Sequence, residues 1–113
     1  MNFQEYQEKS RETAIYPNLG DNLPYLALGI AGESGEVADK VKKFIRDAKF
    51  TSIKDLSVEQ KKELTTEIGD VLWYIAQLAT ELDMSLEAVA QQNIDKLQGR
   101  KQHGTLRGSG DNR

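Results

Sequence analysis

The sequence predicts an all-α bundle of four to five helices. Three observations carry this. Apolar residues recur at the three- and four-residue spacing of helices, and strand-like alternation persists nowhere. Capping residues stand where the periodic segments begin. The connections between those segments are short, as in helical bundles.

The first helix is expected over about residues 2–15, with Phe3, Tyr6 and Ala14 facing inward, until Tyr16-Pro17-Asn18-Leu19-Gly20 breaks it. Asp21 or Asn22 caps a second helix that tolerates Pro24 in its first turn and runs to about Arg46. Its inward stripe is Leu26, Ile30, Val37, Val41 and Phe44. Gly29, Gly32 and Gly35 lie loosely along one side, so either another backbone approaches there or the helix is locally irregular. Residues 47–56 read as a loop. Ser57 and Gln60 match a capping box for a third helix that ends near Leu82. Its stripe is Leu64, Ile68, Val71, Ile75, Leu78 and Leu82, with Trp73 on the other side, suited to packing, an interface or base stacking. Ser85 caps a fourth helix to about Lys101. Residues 1–101 thus form one domain, followed by a polar, glycine-rich tail over 102–113.

Bulk properties exclude several functions. The chain has 113 residues, no cysteine and one histidine, His103. Zinc–thiolate sites and disulfide frameworks are therefore excluded, and so is a di-iron bundle built on Glu-x-x-His pairs. A net charge of −3 argues against a nucleic-acid polymer as partner, though a bound cation would still allow nucleotides. No apolar run approaches the roughly 20 residues of a membrane span, and the first residues lack signal-peptide features. The expected compartment is the cytoplasm. A domain this small gains from covering part of its surface with a second copy.

Chemistry concentrates in two acid pairs. Glu33-Ser34-Gly35-Glu36 and Glu67-Ile68-Gly69-Asp70 each place carboxylates three residues apart, on one helix face. Such pairs are common on solvated faces. Here, however, Glu33 and Glu67 border the apolar stripes, where unpaired charge is expensive. Four carboxylates from two antiparallel helices suit a hard divalent cation such as Mg2+. Glu59, Glu63 and Glu81, by contrast, read as surface charge and helix-dipole complement. On the fourth helix Asn93, Lys96 and Arg100 share one side. Asn93 sits among Leu86, Val89, Ala90 and Leu97 and needs hydrogen-bond partners, while Lys96 and Arg100 facing a metal site become phosphate ligands. Lys40, Lys42 and Lys43 read as a solvated face and helix-end cations, though Lys40, one turn past Glu36, could reach substrate.

These segments together resemble the MazG-like nucleotide pyrophosphohydrolases, the all-α NTP pyrophosphatase superfamily. The resemblance covers about residues 22–101. It rests on Gly32-Glu33-Ser34-Gly35-Glu36-Val37, on Glu67-Ile68-Gly69-Asp70-Val71-Leu72-Trp73-Tyr74 and on Asn93-Ile94-Asp95-Lys96-Leu97-Gln98-Gly99-Arg100. It implies hydrolysis of an NTP or dNTP to the monophosphate and pyrophosphate with Mg2+, for which Mn2+ can substitute. Glu33, Glu36, Glu67 and Asp70 would be the metal ligands. Lys96 and Arg100 would grip phosphates, and Asn93 would shape the nucleotide site. The resemblance also implies a homo-oligomer, dimer or tetramer, whose sites combine groups from different subunits. The expected chemistry is attack of a metal-activated water on the α-phosphorus, with Glu36 the candidate to take its proton. Gly32 and Ser34 flank Glu33 where some members carry an extra acid, which leaves the number of metal ions open. Relatives specialised for phosphoribosyl-ATP or dUTP share this logic. A non-catalytic nucleotide-sensing or oligomerisation module is the alternative from another class.

Overall fold

The computed structural model describes residues 1–48 and 50–113. Lys49, inside the expected loop 47–56, lies outside them. Among the described residues the fold comprises four α-helices, α1 (Phe3–Arg11), α2 (Leu23–Ala48), α3 (Val58–Glu81) and α4 (Leu86–Gln102), with a 3-10 turn at Ile53–Asp55. Among the described residues there is no strand, and no helix is long and apolar enough to cross a membrane.

The ends of the helices follow local chemistry. The Asn2 side chain caps α1 by accepting from Glu5 N–H at 2.8 Å. Asn22 caps α2, accepting from Tyr25 N–H at 3.1 Å. Ser57 and Gln60 form the expected reciprocal box, at 3.1 and 2.8 Å. Ser85 accepts from Ala88 N–H at 3.0 Å. Asp83, with φ +55°, turns the chain between α3 and α4, a conformation its short polar side chain tolerates.

Helix α1 stops at Arg11, four residues short of the expected end. The Ser10 carbonyl, which would continue the helical ladder, is taken by Thr13 Oγ1 at 2.9 Å and by Trp73 Nε1 at 3.2 Å. Ala14, expected inward, is buried, and so is Tyr16 from the segment expected to break the helix; both sit in the loop after α1 rather than in the helix. Phe3, expected inward, is exposed.

The frame is the antiparallel pair α2–α3. Asn22 meets Glu81, Gly29 meets Tyr74 and Lys40 meets Glu67, so the pairing runs in opposite chain directions. What approaches Gly29 is the Tyr74 ring, not a backbone: a Cβ there would overlap the ring carbons. Gly32 and Gly35 face open space, and α2 is unbroken through all three. Ala14, Tyr16 and Leu26 form the buried core, with Trp73, Tyr74 and Leu78 packed against it. Trp73 is therefore a packing residue.

The α3 stripe is only partly covered. Leu64, Val71, Ile75 and Leu78 are half-buried, whereas Ile68 and Leu82 remain 54% and 59% exposed. Among the described residues, helix α4 packs on α1 and α3 but not on α2. The radius of gyration is 17.1 Å, against about 13 Å for a compact chain of this length. A single copy is thus an open arrangement with apolar faces uncovered.

Candidate metal centre

Glu33 projects from the middle of α2. Glu67 and Asp70, one turn apart, project from α3 toward it. One carboxylate oxygen from each of the three lies within 4.8 Å of the others. Glu33 and Glu67 are half-buried and Asp70 is exposed. Burial first, then the charges of Asp70, Glu67 and Glu36, push the Glu33 carboxyl above the usual carboxylate range. The trio is a concentration of like charge held together by helix packing. Its donors are all oxygen, with no sulfur or imidazole among them, which is the set a hard divalent cation takes. Glu36 lies one turn beyond Glu33, exposed and outside the trio, so three of the four expected carboxylates converge rather than four.

An open cavity of about 360 Å³ adjoins the acids, lined by Thr13, Glu33, Asp70, Trp73 and Tyr74. Two aromatics line its wall, and a ladder of tyrosines continues away from them. Trp73 and Tyr74 meet edge to face with centroids 5.0 Å apart, Tyr74 lies 6.3 Å from Tyr25, and Tyr25 stacks on Tyr16 at 5.2 Å. Trp73 Nε1 donates to Thr13 Oγ1 at 2.8 Å, fixing the indole as part of that wall. Burial, the neighbouring Tyr25, and Glu33 and Asp70 push the Tyr74 phenol up. Burial and Asp70 do the same to Tyr6. The role of Thr13 and of the tyrosine ladder was not visible in the sequence, because those residues meet only through the loop after α1.

A second polar group anchors this wall from behind. Glu81 is not a surface charge: its side chain is 6% exposed. It accepts from the Tyr16 hydroxyl and from Asn22 N–H at 2.6 Å, with Arg11 Nη1 at 3.8 Å. Arg11 also donates to Tyr16 and to buried Gln77, which in turn donates to Ser10 Oγ at 2.9 Å. Glu81 is buried because α2 starts against the end of α3 and presents unpaired N–H groups there.

The α4 residues lie elsewhere. Asn93 and Lys96, with Val89 and Gln92, line a separate cavity of about 300 Å³. Asn93 is exposed rather than enclosed by apolar neighbours, because α4 docks mainly near its start, around buried Leu86. Arg100 is buried under the tail: Nη2 donates to the carbonyls of Gly110 and Asp111 at 3.3 and 3.2 Å and stands 3.7 Å from Asp111 Oδ1, while Nε has no partner. Among the described residues of one copy, no ion pair and no shared cavity joins Asn93, Lys96 or Arg100 to the carboxylate trio.

The sequence profile of the MazG nucleotide pyrophosphohydrolase domain matches residues 21–105. The chain belongs to this family. The match spans α2 to α4 and so includes Glu33, Glu36, Glu67 and Asp70. Among curated relatives, the "Gene 37 protein" of Mycobacterium phage L5 is 47% identical over 113 residues, covering 96% of each chain. The "Uncharacterized protein YvdC" of Bacillus subtilis (strain 168) is 37% identical over 82 residues, 71% of this chain and 77% of that one. No solved structure matches the chain. Membership of the MazG family accounts for the all-helical fold.

Proposed function

We propose that this chain is a Mg2+-dependent pyrophosphohydrolase that cleaves a nucleoside triphosphate, ribo or deoxy, to the monophosphate and pyrophosphate. The observation that carries the proposal is the convergence of Glu33, Glu67 and Asp70 beside an aromatic cavity in a member of the MazG family. These three carboxylates would hold Mg2+ or Mn2+, with exposed Glu36 near enough for its charge to be felt at Glu33 and to join as a fourth ligand. When bound, the ion would lower the pKa of a water aimed at the α-phosphorus and offset phosphate charge.

The remaining chemistry falls to the protein. Glu36, one turn from Glu33 and in solvent, is the group proposed to accept the proton of the attacking water. The wall of Trp73 and Tyr74 would orient the nucleoside end and limit water on that side. Asn93, Lys96 and Arg100 are proposed to bind substrate, the cations offsetting charge on the leaving pyrophosphate. Since neither a shared cavity nor an ion pair joins these groups to the trio among the described residues of one copy, they would come from a second copy. The exposed Ile68, Ile94 and Leu97 support such self-association, since burying them would recover hydrophobic free energy. The proposed setting is the cytoplasm, with no membrane and no nucleic-acid polymer as partner.

The test is a pair of isosteric variants, Glu67→Gln and Asp70→Asn. Both are expected to keep their helical circular dichroism and lose Mg2+-dependent hydrolysis. Full turnover in either would overturn the assignment of the trio. Exclusive turnover of phosphoribosyl-ATP or dUTP would narrow the substrate without changing the chemistry.

A further inference from the structure

Among the described residues, one member of the carboxylate trio makes an ion pair, and its partner is on the opposite helix. Lys40 Nζ, from α2, stands 3.5 Å from Glu67 Oε1 on α3. The two side chains are 27% and 16% exposed. The neighbouring lysines behave differently. Lys42 and Lys43 turn along their own helix to Asp39, at 2.9 and 2.7 Å, on the solvated side. Lys40 alone of these three crosses the seam, and it does so onto an oxygen-donor group of the proposed metal site.

An ammonium and a divalent cation cannot both be well placed on this trio. Each draws on the same negative charge, and their mutual repulsion at a few ångströms is strong in a partly buried site. The ammonium is the one that can move. It is a compact point charge on a flexible four-carbon stem, so it leaves Glu67 without any backbone shift. A half-buried cation displaced from its carboxylate needs a new anionic partner nearby. The phosphate oxygens of a metal-bound polyphosphate supply one.

We propose that Lys40 is a charge-exchange residue of this site: its ammonium holds and neutralises Glu67 while no divalent ion is bound, and passes to the phosphates of the polyphosphate when the ion and substrate arrive. The proposal rests on the metal reading of Glu33, Glu67 and Asp70 given above. It makes a prediction that a merely structural ion pair does not: removing the ammonium has opposite effects on metal and on polyphosphate.

The experiment uses the full chain and needs no turnover. Mn2+ alone is titrated by calorimetry and by its paramagnetic resonance signal, and inorganic pyrophosphate is then titrated at saturating Mn2+. Lys40→Met and Lys40→Gln are compared with the unaltered chain and with Glu67→Gln. Both Lys40 variants are expected to bind Mn2+ more tightly, by about three- to tenfold, and pyrophosphate more weakly, by about tenfold or more. Weaker Mn2+ binding, with pyrophosphate falling in proportion, would make the pair structural and overturn the proposal. Unchanged affinities for both would overturn it too. The two readings separate cleanly. If the unaltered chain binds Mn2+, Glu67→Gln does not, and the Lys40 variants are unaltered, only the role of Lys40 falls. If the unaltered chain binds no Mn2+, the metal reading falls with it.

Discussion

The Tyr74 ring lies against the backbone of Gly29, in the space that any other residue's Cβ would fill. This contact sets how closely α3 approaches α2, four residues from Glu33 on one helix and four from Asp70 on the other. Gly29→Ala therefore forces the ring away. The overpacking costs about 1–3 kcal/mol, set against a gain of up to about 1 kcal/mol in helix propensity. Gly32→Ala meets open space and should only gain. Urea denaturation of the two variants checks this, and equal stability changes would contradict the packing role of Tyr74.

Glu81 ties the aromatic wall to the start of α2. Glu81→Ala leaves the Tyr16 hydroxyl and Asn22 N–H without their acceptor. A loss on the order of 2 kcal/mol or more follows, since each stranded buried group costs about 1–3 kcal/mol. A surface glutamate would change stability by roughly 0.5 kcal/mol at most. The midpoint of chemical unfolding distinguishes the two.

The raised Glu33 carboxyl links metal to pH. A carboxyl whose folded pKa is raised stabilises the fold below its ordinary value of 4.5, and that contribution is lost as pH rises through the folded pKa. Metal-free protein in EDTA should thus lose melting temperature from pH 4.5 upward, relative to Glu33→Gln. Mg2+ at a hundredfold excess over its Kd should restore about 2.7 kcal/mol at neutral pH. Melts of both proteins across pH, with and without Mg2+, give the comparison; parallel curves in EDTA would remove Glu33 from the charged cluster.

If the cations of α4 serve the trio of another copy, two inactive variants should repair each other. Asp70→Asn and Lys96→Ala, mixed after unfolding and refolding together, are expected to regain partial hydrolysis through sites that combine an intact trio with an intact α4. Activity no higher than the sum of the separate proteins would place both groups' roles within one copy.

Much of this architecture is legible in the chain because it depends on local rules. Caps at Asn22, Ser57 and Ser85 and the 3.6-residue period put α2, α3 and α4 within a few residues of their observed ends. The spacing of Glu33, Glu67 and Asp70 was sufficient to bring them together once α2 and α3 paired. What periodicity could not show depends on long-range contact. The end of α1 is set by Trp73, some sixty residues away, competing for the Ser10 carbonyl. The burial of Glu81 depends on where α2 begins, and that of Arg100 on a tail that folds back over it. Ile68 and Leu82 fit an apolar stripe that a single copy does not cover.

The most direct test of the account is a panel of ribo- and deoxynucleoside triphosphates incubated with the protein and Mg2+, with products separated and the phosphorus species resolved. The account predicts monophosphate and pyrophosphate in equal amounts from at least one of them, abolished by EDTA and by Asp70→Asn. Release of orthophosphate with a diphosphate product, or no hydrolysis of any nucleotide by protein that binds Mg2+, would contradict it.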